Sequence, residues 1–211
     1  MNKKEFKRYV SELGIELSLE QERKLEEFYE LLISWNEKIN LTRIVEKEDV
    51  YLKHFYDSLT LSKIIDLNKI ETLCDVGTGA GFPGIVLKIV YPHLNITLID
   101  SLQKRVNYLN EVVKELKLEN IKAIHVRAED HKKQYDLVTA RAVAKLDKLL
   151  DYTGHLVKSS GLFIPMKANI NDEIKEAEKK LKKLKMNVVE VDEFLLPIEN
   201  STRTLIKIQK N

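Results

Sequence analysis

Four of the seven glycines in this chain of 211 residues fall in one short stretch, Asp75-Val76-Gly77-Thr78-Gly79-Ala80-Gly81-Phe82-Pro83-Gly84. Glycine lets a backbone turn tightly and lets a ligand approach where a Cβ would stand. If a helix follows, its first N–H groups lack partners inside the helix and suit an anionic or carboxylate-bearing ligand. Pro83 is expected in the first turn of that helix, where its fixed φ is already helical. Asp75, just ahead of Gly77, can accept hydrogen bonds from the ammonium group of an amino-acid-like ligand. Asp100 and Ser101 stand about 20 residues further on, where a ribose diol lies in nucleoside-binding folds. Next comes Arg127-Ala128-Glu129-Asp130, placed to meet the edge of a base.

The loop itself discriminates among ligands. A triphosphate loop needs Gly-Lys-Ser/Thr, and here Ile85 follows Gly84. A dinucleotide fingerprint wants glycine where Phe82 stands and a second βαβ half downstream. S-adenosylmethionine satisfies what remains. Its amino-acid end suits Asp75, its ribose Asp100, and its adenine Ala128 and Glu129, and it brings no pyrophosphate. The expected reaction is methyl transfer, leaving S-adenosylhomocysteine.

Other residues bear on what receives the methyl. The segment Thr139-Ala140-Arg141-Ala142 lacks the Asp/Asn-Pro-Pro-aromatic motif common among enzymes that methylate amino groups on bases. Cys74, the single cysteine, lies in an apolar run and reads as core, not as the nucleophile that carbon-5 methylation of pyrimidines requires. A ring nitrogen already has an in-plane lone pair and needs no general base, so alignment and charge tolerance would suffice. Asn40, His54, Asp57 and Arg141 are the polar residues expected near a substrate; a hydrogen-bonded network joining the helical cap to the sheet is the alternative, and explains His54 and Asp57 equally well. Arg141, at a strand's carboxyl end, is the strongest of the four. No metal site is expected.

These residues need a scaffold. Apolar residues recur at helical spacing from Ser18 to about Trp35, with Ser18 and Gln21 forming a capping box, and Phe6, Tyr9, Val10 and Leu13 mark a shorter helix before it. Residues 1–65 are therefore expected to be a helical cap. From residue 66 to 211, short apolar runs alternate with amphipathic stretches: Thr72 to Val76, Ile85 to Val90, Asn95 to Asp100, Val106 to Leu118, Ile121 to Val126, Asp136 to Ala140, Lys145 to Tyr152 and Gly161 to Met166. This is an α/β pattern, a Rossmann-like and mostly parallel sheet. A helix from Asn171 to Leu184 is followed by two strands with no helix between them, Asn187 to Leu195 and Thr202 to Gln209, so the last strand must run antiparallel.

Composition sets outer limits. With 44% hydrophobic residues the chain can bury a real core, and a net charge of +2 announces no global field for nucleic acid. Basic contacts must be local: Lys7, Arg8, Lys104, Arg105, or the lysines between 175 and 185, where interleaved glutamates favour a solvated face. Trp35 and Phe55 are aromatic candidates for base stacking, with core packing the alternative. One unpaired cysteine, and no apolar stretch of signal or membrane length, point to a cytoplasmic protein away from membranes, and it is expected to act as a monomer.

Several stretches together give the pattern a family likeness: Trp35-Asn36-Glu37-Lys38-Ile39-Asn40-Leu41-Thr42, His54-Phe55-Tyr56-Asp57-Ser58-Leu59, the glycine turn continuing Gly81-Phe82-Pro83-Gly84, Asp100-Ser101 with Lys104-Arg105, and Thr139-Ala140-Arg141-Ala142-Val143-Ala144. The chain resembles the bacterial 16S ribosomal RNA guanine-N7 methyltransferase family, RsmG or GidB. That resemblance implies cofactor contacts at Gly77, Phe82, Asp100, Ala128, Glu129 and Arg141. It further implies a target guanosine in the decoding-region loop of 16S rRNA, met free or in the small ribosomal subunit. Thr78 replaces the family's usual serine, and the basic, proline-containing tail of some relatives has no counterpart before Asn211. Two rival readings keep the fold: methylation of a small molecule or protein, and an inert RNA-binding assembly factor. Intact Asp75, Asp100 and glycine positions speak against the second.

Overall fold

A computed structural model describes residues 1–141, 144–168, 170 and 172–211. Two helices open the chain, α1 (Lys3–Glu12) and α2 (Leu19–Ile39). Each starts in a reciprocal capping box, Asn2 with Glu5 and Ser18 with Gln21, as expected for the second. Phe6 and Val10 of α1 and Leu25, Phe28 and Leu32 of α2 form the buried stripe. α2 runs a turn past Trp35 and ends at Asn40, whose φ of 50° is left-handed.

The next helical segment is irregular. α3 (Lys47–Val50) passes into a π-helical turn, Tyr51–Tyr56, and then into α4 (Asp57–Leu59). Within it the Asp57 N–H reaches the carbonyls of His54 and Leu52. The carbonyl of Lys53, the partner of Asp57 in a regular helix, is thereby left to accept from elsewhere.

The sheet contains β1 (Thr72–Val76), β2 (Asn95–Asp100), β3 (Ile121–His125), β4 (Tyr135–Arg141), β5 (Val157–Lys167), β6 (Met186–Leu195) and β7 (Thr202–Lys210), in the order β3-β2-β1-β4-β5-β7-β6. β1 to β5 pair in parallel, and β7 is antiparallel to both β5 and β6. The final two strands are the expected antiparallel pair, with the return strand inserted next to β5. The strand order reverses between β1 and β4, so the crevice beyond their carboxyl ends is where this architecture binds ligands.

The helices α5 (Gly84–Val90), α6 (Gln103–Glu115), α7 (Leu146–Thr153) and α8 (Glu173–Lys183) connect the strands. Phe28 and Phe55 from the N-terminal helices share a hydrophobic cluster with Ile85, Leu98, Leu109 and Leu205 on one face of the sheet. α7 and α8 cover the other face through Leu149, Leu150 and Leu181, which pack with Val138 and Ile206. Cys74 is fully buried in that second cluster, and burial pushes its thiol well above the usual range.

Two boundaries depart from the sequence pattern for physical reasons. Pro83 stands just before α5, not inside its first turn, and follows a cis peptide bond from Phe82. β5 begins at Val157, ahead of the expected Gly161, because its pairing with β4 shifts between Tyr135 and Leu137. That irregularity leaves Ser159 and Ser160 exposed and masks the strand's alternation. Asn171, expected to start the eighth helix, lies outside the described residues, as do Ala142 and Val143 of the Arg141 segment. Among the described residues no helix is long and apolar enough to cross a membrane, and no acidic, His or Cys cluster could hold a metal.

Candidate active site

The glycine turn leaves β1 through three left-handed residues, Gly77 (φ 66°), Gly79 (φ 59°) and Gly81 (φ 96°). The Gly77 N–H donates to the Ile99 carbonyl at 2.8 Å, which ties the turn to the end of β2. Gly81 is glycine for a second reason: a Cβ there would stand 2.7 Å from Ile85 Cγ1 and 3.1 Å from Leu109 Cδ2. Asp75 braces the loop from behind. Its Oδ2 accepts from Thr78 Oγ1 at 2.6 Å and from the Gly84 N–H at 2.9 Å.

That geometry corrects one expectation. The first N–H groups of α5 are not open to a ligand, because Gly84 donates to Asp75 and Ile85 donates to the Gly81 carbonyl. What Asp75 can still offer is Oδ1, which is buried and has no partner among the described residues. Complete burial pushes this carboxyl up to about 6, against the opposing pull of the Thr78 and Gly84 hydrogen bonds. A buried, unpaired carboxylate oxygen fits a cationic donor such as an amino-acid ammonium group.

Asp100 is placed comparably at the end of β2. Its Oδ1 accepts from the Leu102 N–H at 2.9 Å, and its Oδ2 from the Gly79 N–H at 3.0 Å and Arg105 Nη1 at 3.3 Å. A carboxylate has about four acceptor sites, so a ribose hydroxyl can use the fourth and a second can displace Arg105. The Arg105 contact is the longest of the three, and its side chain is 33% exposed.

A cavity of about 210 Å³ opens beside these residues, lined by Gly77, Asp100, Ser101, Ala128 and Glu129 together with apolar Val76, Ile99 and Val126. The five polar-loop positions are those expected to meet a nucleoside. Tyr152 of α7 also lines the cavity and had no signal in the sequence. A larger cleft of about 800 Å³ lies between α2 and the end of α6, among Arg23, Glu27, Lys88 and Glu119, and contains none of this chemistry. The smaller cavity, at the sheet's carboxyl edge, is the one the topology favours.

A second constellation gathers around Arg141, the last residue of β4. Its Nη1 donates to Asp57 Oδ2 at 2.9 Å and to the freed Lys53 carbonyl at 2.9 Å, and its Nη2 lies 3.0 Å from His54 Nδ1. The π-helical turn thus supplies a backbone acceptor that a regular helix would have consumed. The guanidinium carbon sits 5.2 Å from the centre of the Phe82 ring, and His54 stacks on the same ring at 4.3 Å. Phe82 therefore couples the glycine turn to this cluster.

The partners settle the protonation of His54. A guanidinium can only donate, so Nδ1 must accept from Arg141. The neutral ring then carries its proton on Nε2, which donates to Thr42 Oγ1 at 3.0 Å. Burial, reinforced by the charge of Arg141, pulls the imidazole down to about 3. The remaining oxygen of Asp57 accepts from Arg203 Nε at 3.0 Å, so one buried carboxylate holds two guanidinium groups.

His54, Asp57 and Arg141 are thus brought together, in a network that also joins the N-terminal helices to the sheet. Asn40 is not part of it; its side chain is exposed, and Asn36 ties down the adjacent loop by accepting the Thr42 N–H at 2.8 Å. Arg203 and the Lys53 carbonyl were not foreseen, the first because nothing local marks an arginine after a turn, the second because a π-turn leaves no trace in periodicity.

Phe55 is fully buried against Phe28 and Tyr51, so it cannot stack on a base, and Trp35 packs on Tyr108. Of the α8 lysines, Lys180 pairs with Asp151 and Lys182 with Glu178, in keeping with a solvated face. Lys7 pairs with Glu22, whereas Lys104 is exposed at the start of α6.

A doubly wound sheet with an added antiparallel strand, a left-handed glycine turn, and paired carboxylates at the ends of β1 and β2 define an S-adenosylmethionine-dependent methyltransferase. The fold is shared with a SAM-dependent methyltransferase from Aquifex aeolicus (TM-score 0.59, 19% identity, 85% of this chain and 98% of that one). It is also shared with M. jannaschii TYW2 in complex with AdoMet (TM-score 0.54, 20% identity, 68% and 71%). Residues 21–202 match the family GidB, rRNA small subunit methyltransferase G. Ribosomal RNA small subunit methyltransferase G of Bacillus pumilus is 49% identical over all of this chain and 91% of its own length, and that of Bacillus subtilis is 45% identical with the same coverage. The chain belongs to the GidB family of rRNA small subunit methyltransferases.

Proposed function

We propose that this enzyme transfers a methyl group from S-adenosylmethionine to N7 of a guanosine in the decoding-region loop of 16S rRNA, acting as a single chain in the cytoplasm. The observation that carries the reading is the absence of a free base beside Arg141 among the described residues. His54 is neutral with both nitrogens engaged, and both oxygens of Asp57 are held by arginines. An acceptor that must first lose a proton has no group here to take it, whereas a ring nitrogen needs none.

In this reading residues 1–65 are a helical cap on a methyltransferase domain spanning 66–211. Asp75 Oδ1 receives the cofactor's amino group, and the backbone of Gly77, Gly79 and Gly81 gives it a close approach. Asp100 and Ser101 take the ribose, and Ala128 and Glu129 the edge of the adenine. Bound S-adenosylmethionine supplies an electrophilic methyl carried on a sulfonium. Phe82 and Arg141 shape the mouth where the base arrives, and Asp57 and His54 fix the Arg141 guanidinium in place. Because Asp57 offsets that charge, the site can tolerate positive charge passing to the base. Asn40, exposed at the end of α2, is proposed as a residue the RNA meets.

The test is to incubate the protein with labelled S-adenosylmethionine and either small ribosomal subunits or protein-free rRNA, and to map the modified nucleoside by mass spectrometry. One N7-methylguanosine in the decoding-region loop is expected in at least one substrate. No label in either, or a label on an exocyclic amine, would overturn the proposal.

A further inference from the structure

The cofactor cavity has one aromatic wall, Tyr152, which belongs to none of the motifs that identify the site. α7 buries Leu146, Leu149, Leu150 and Thr153, and Tyr152 sits at the edge of that stripe, half-buried. The helix packs against the Ala128–Asp130 turn, so Tyr152 approaches the cavity from beside the residues that meet the base edge. Both ends of α7 are fixed: the Leu146 N–H donates to Glu173 Oε2 at 2.8 Å, and Asp151 pairs with Lys180. An aromatic ring on a helix anchored in this way, at the wall of a small cavity, is a stacking platform for a base.

We infer that Tyr152 is the wall on which the adenine of S-adenosylmethionine rests, and that its ring, not its hydroxyl, fixes much of the cofactor's affinity. This rests on the assignment of the cavity to the cofactor. Ring-face contact attracts any base, while Ala128 and Glu129 on the edge select adenine, so affinity and identity are carried by different residues. Of the apolar walls, Val76, Ile99 and Val126 are aliphatic and offer no π-face, and Arg127 completes the lining.

The experiment is calorimetric titration of S-adenosylhomocysteine into the intact protein and into Tyr152→Phe, Tyr152→Leu and Asp100→Ala variants, with adenosine competition alongside. Leucine keeps most of the apolar volume and removes the ring. Tyr152→Leu should weaken S-adenosylhomocysteine by about tenfold or more and adenosine by a similar factor. Tyr152→Phe should bind within about twofold of the parent, since it keeps the ring.

If Tyr152→Leu binds both ligands like the parent while Asp100→Ala is weakened, the role of Tyr152 is refuted and the cavity assignment stands. If neither substitution matters, the cavity assignment itself fails. A Tyr152→Leu protein weakened for S-adenosylhomocysteine but not for adenosine also overturns the proposal, because the loss would then not lie at the adenine.

Discussion

Asp57→Ala is expected to cost about 3 to 5 kcal/mol of folding stability and to abolish methyl transfer, because it leaves two guanidinium groups without their buried counter-charge. The Asp57 side chain is 6% exposed, and those of Arg141 and Arg203 are 16% and 20% exposed. Water cannot readily replace the carboxylate. The Lys53 carbonyl would still hold Arg141, but Arg203 would keep only Ser201 Oγ and the Thr202 carbonyl. Asp57→Asn keeps one acceptor oxygen and should lose less. Urea unfolding followed by circular dichroism checks both variants. An alanine variant within about 1 kcal/mol of the parent would mean that the network adds little net stability.

Gly81→Ala should be nearly as severe, and through different physics. A φ of 96° is strained for any residue with a Cβ, at about 1 to 3 kcal/mol. The added carbon would also press on Ile85 and Leu109, whose atoms lie 2.7 and 3.1 Å away, and overpacking of this kind costs about 1 to 3 kcal/mol more. Both side chains are fully buried, so neither can swing clear. The turn must move, and Gly79, whose N–H donates to Asp100, moves with it. Binding of S-adenosylhomocysteine should therefore fall by more than about tenfold. A variant with parental affinity and stability would show that the turn relaxes at no cost.

Much of this was legible in the residues. β1 and β2 start and end where the sequence pattern puts them, because each is a short, mostly apolar stretch closed by a carboxylate and a turn. The positions proposed for the cofactor stand out for a related reason: glycine spacing and carboxylates at strand ends are local features. What escaped was non-local or irregular. Arg203 reaches Asp57 across a large sequence separation, and the π-turn at Tyr51–Tyr56 gives the same buried pattern a regular helix would. By residue type Asp75 suits an ammonium group with its whole carboxylate; only packing reveals that one of its oxygens is consumed by Thr78 and Gly84. The polar quartet Asn40, His54, Asp57 and Arg141 was separable only by geometry, which joins three and leaves Asn40 on the surface.

The central claim is that the site works by alignment and needs no general base. The most direct measurement is the single-turnover rate of methyl transfer to small-subunit RNA, at saturating S-adenosylmethionine, as a function of pH. His54, held near 3, stays neutral, and Asp75, near 6, is already mostly ionised from neutrality upward. The rate should be flat from about pH 7 to 8.5. A rate that climbs tenfold per pH unit across that interval would reveal a proton lost before transfer, and would contradict the account.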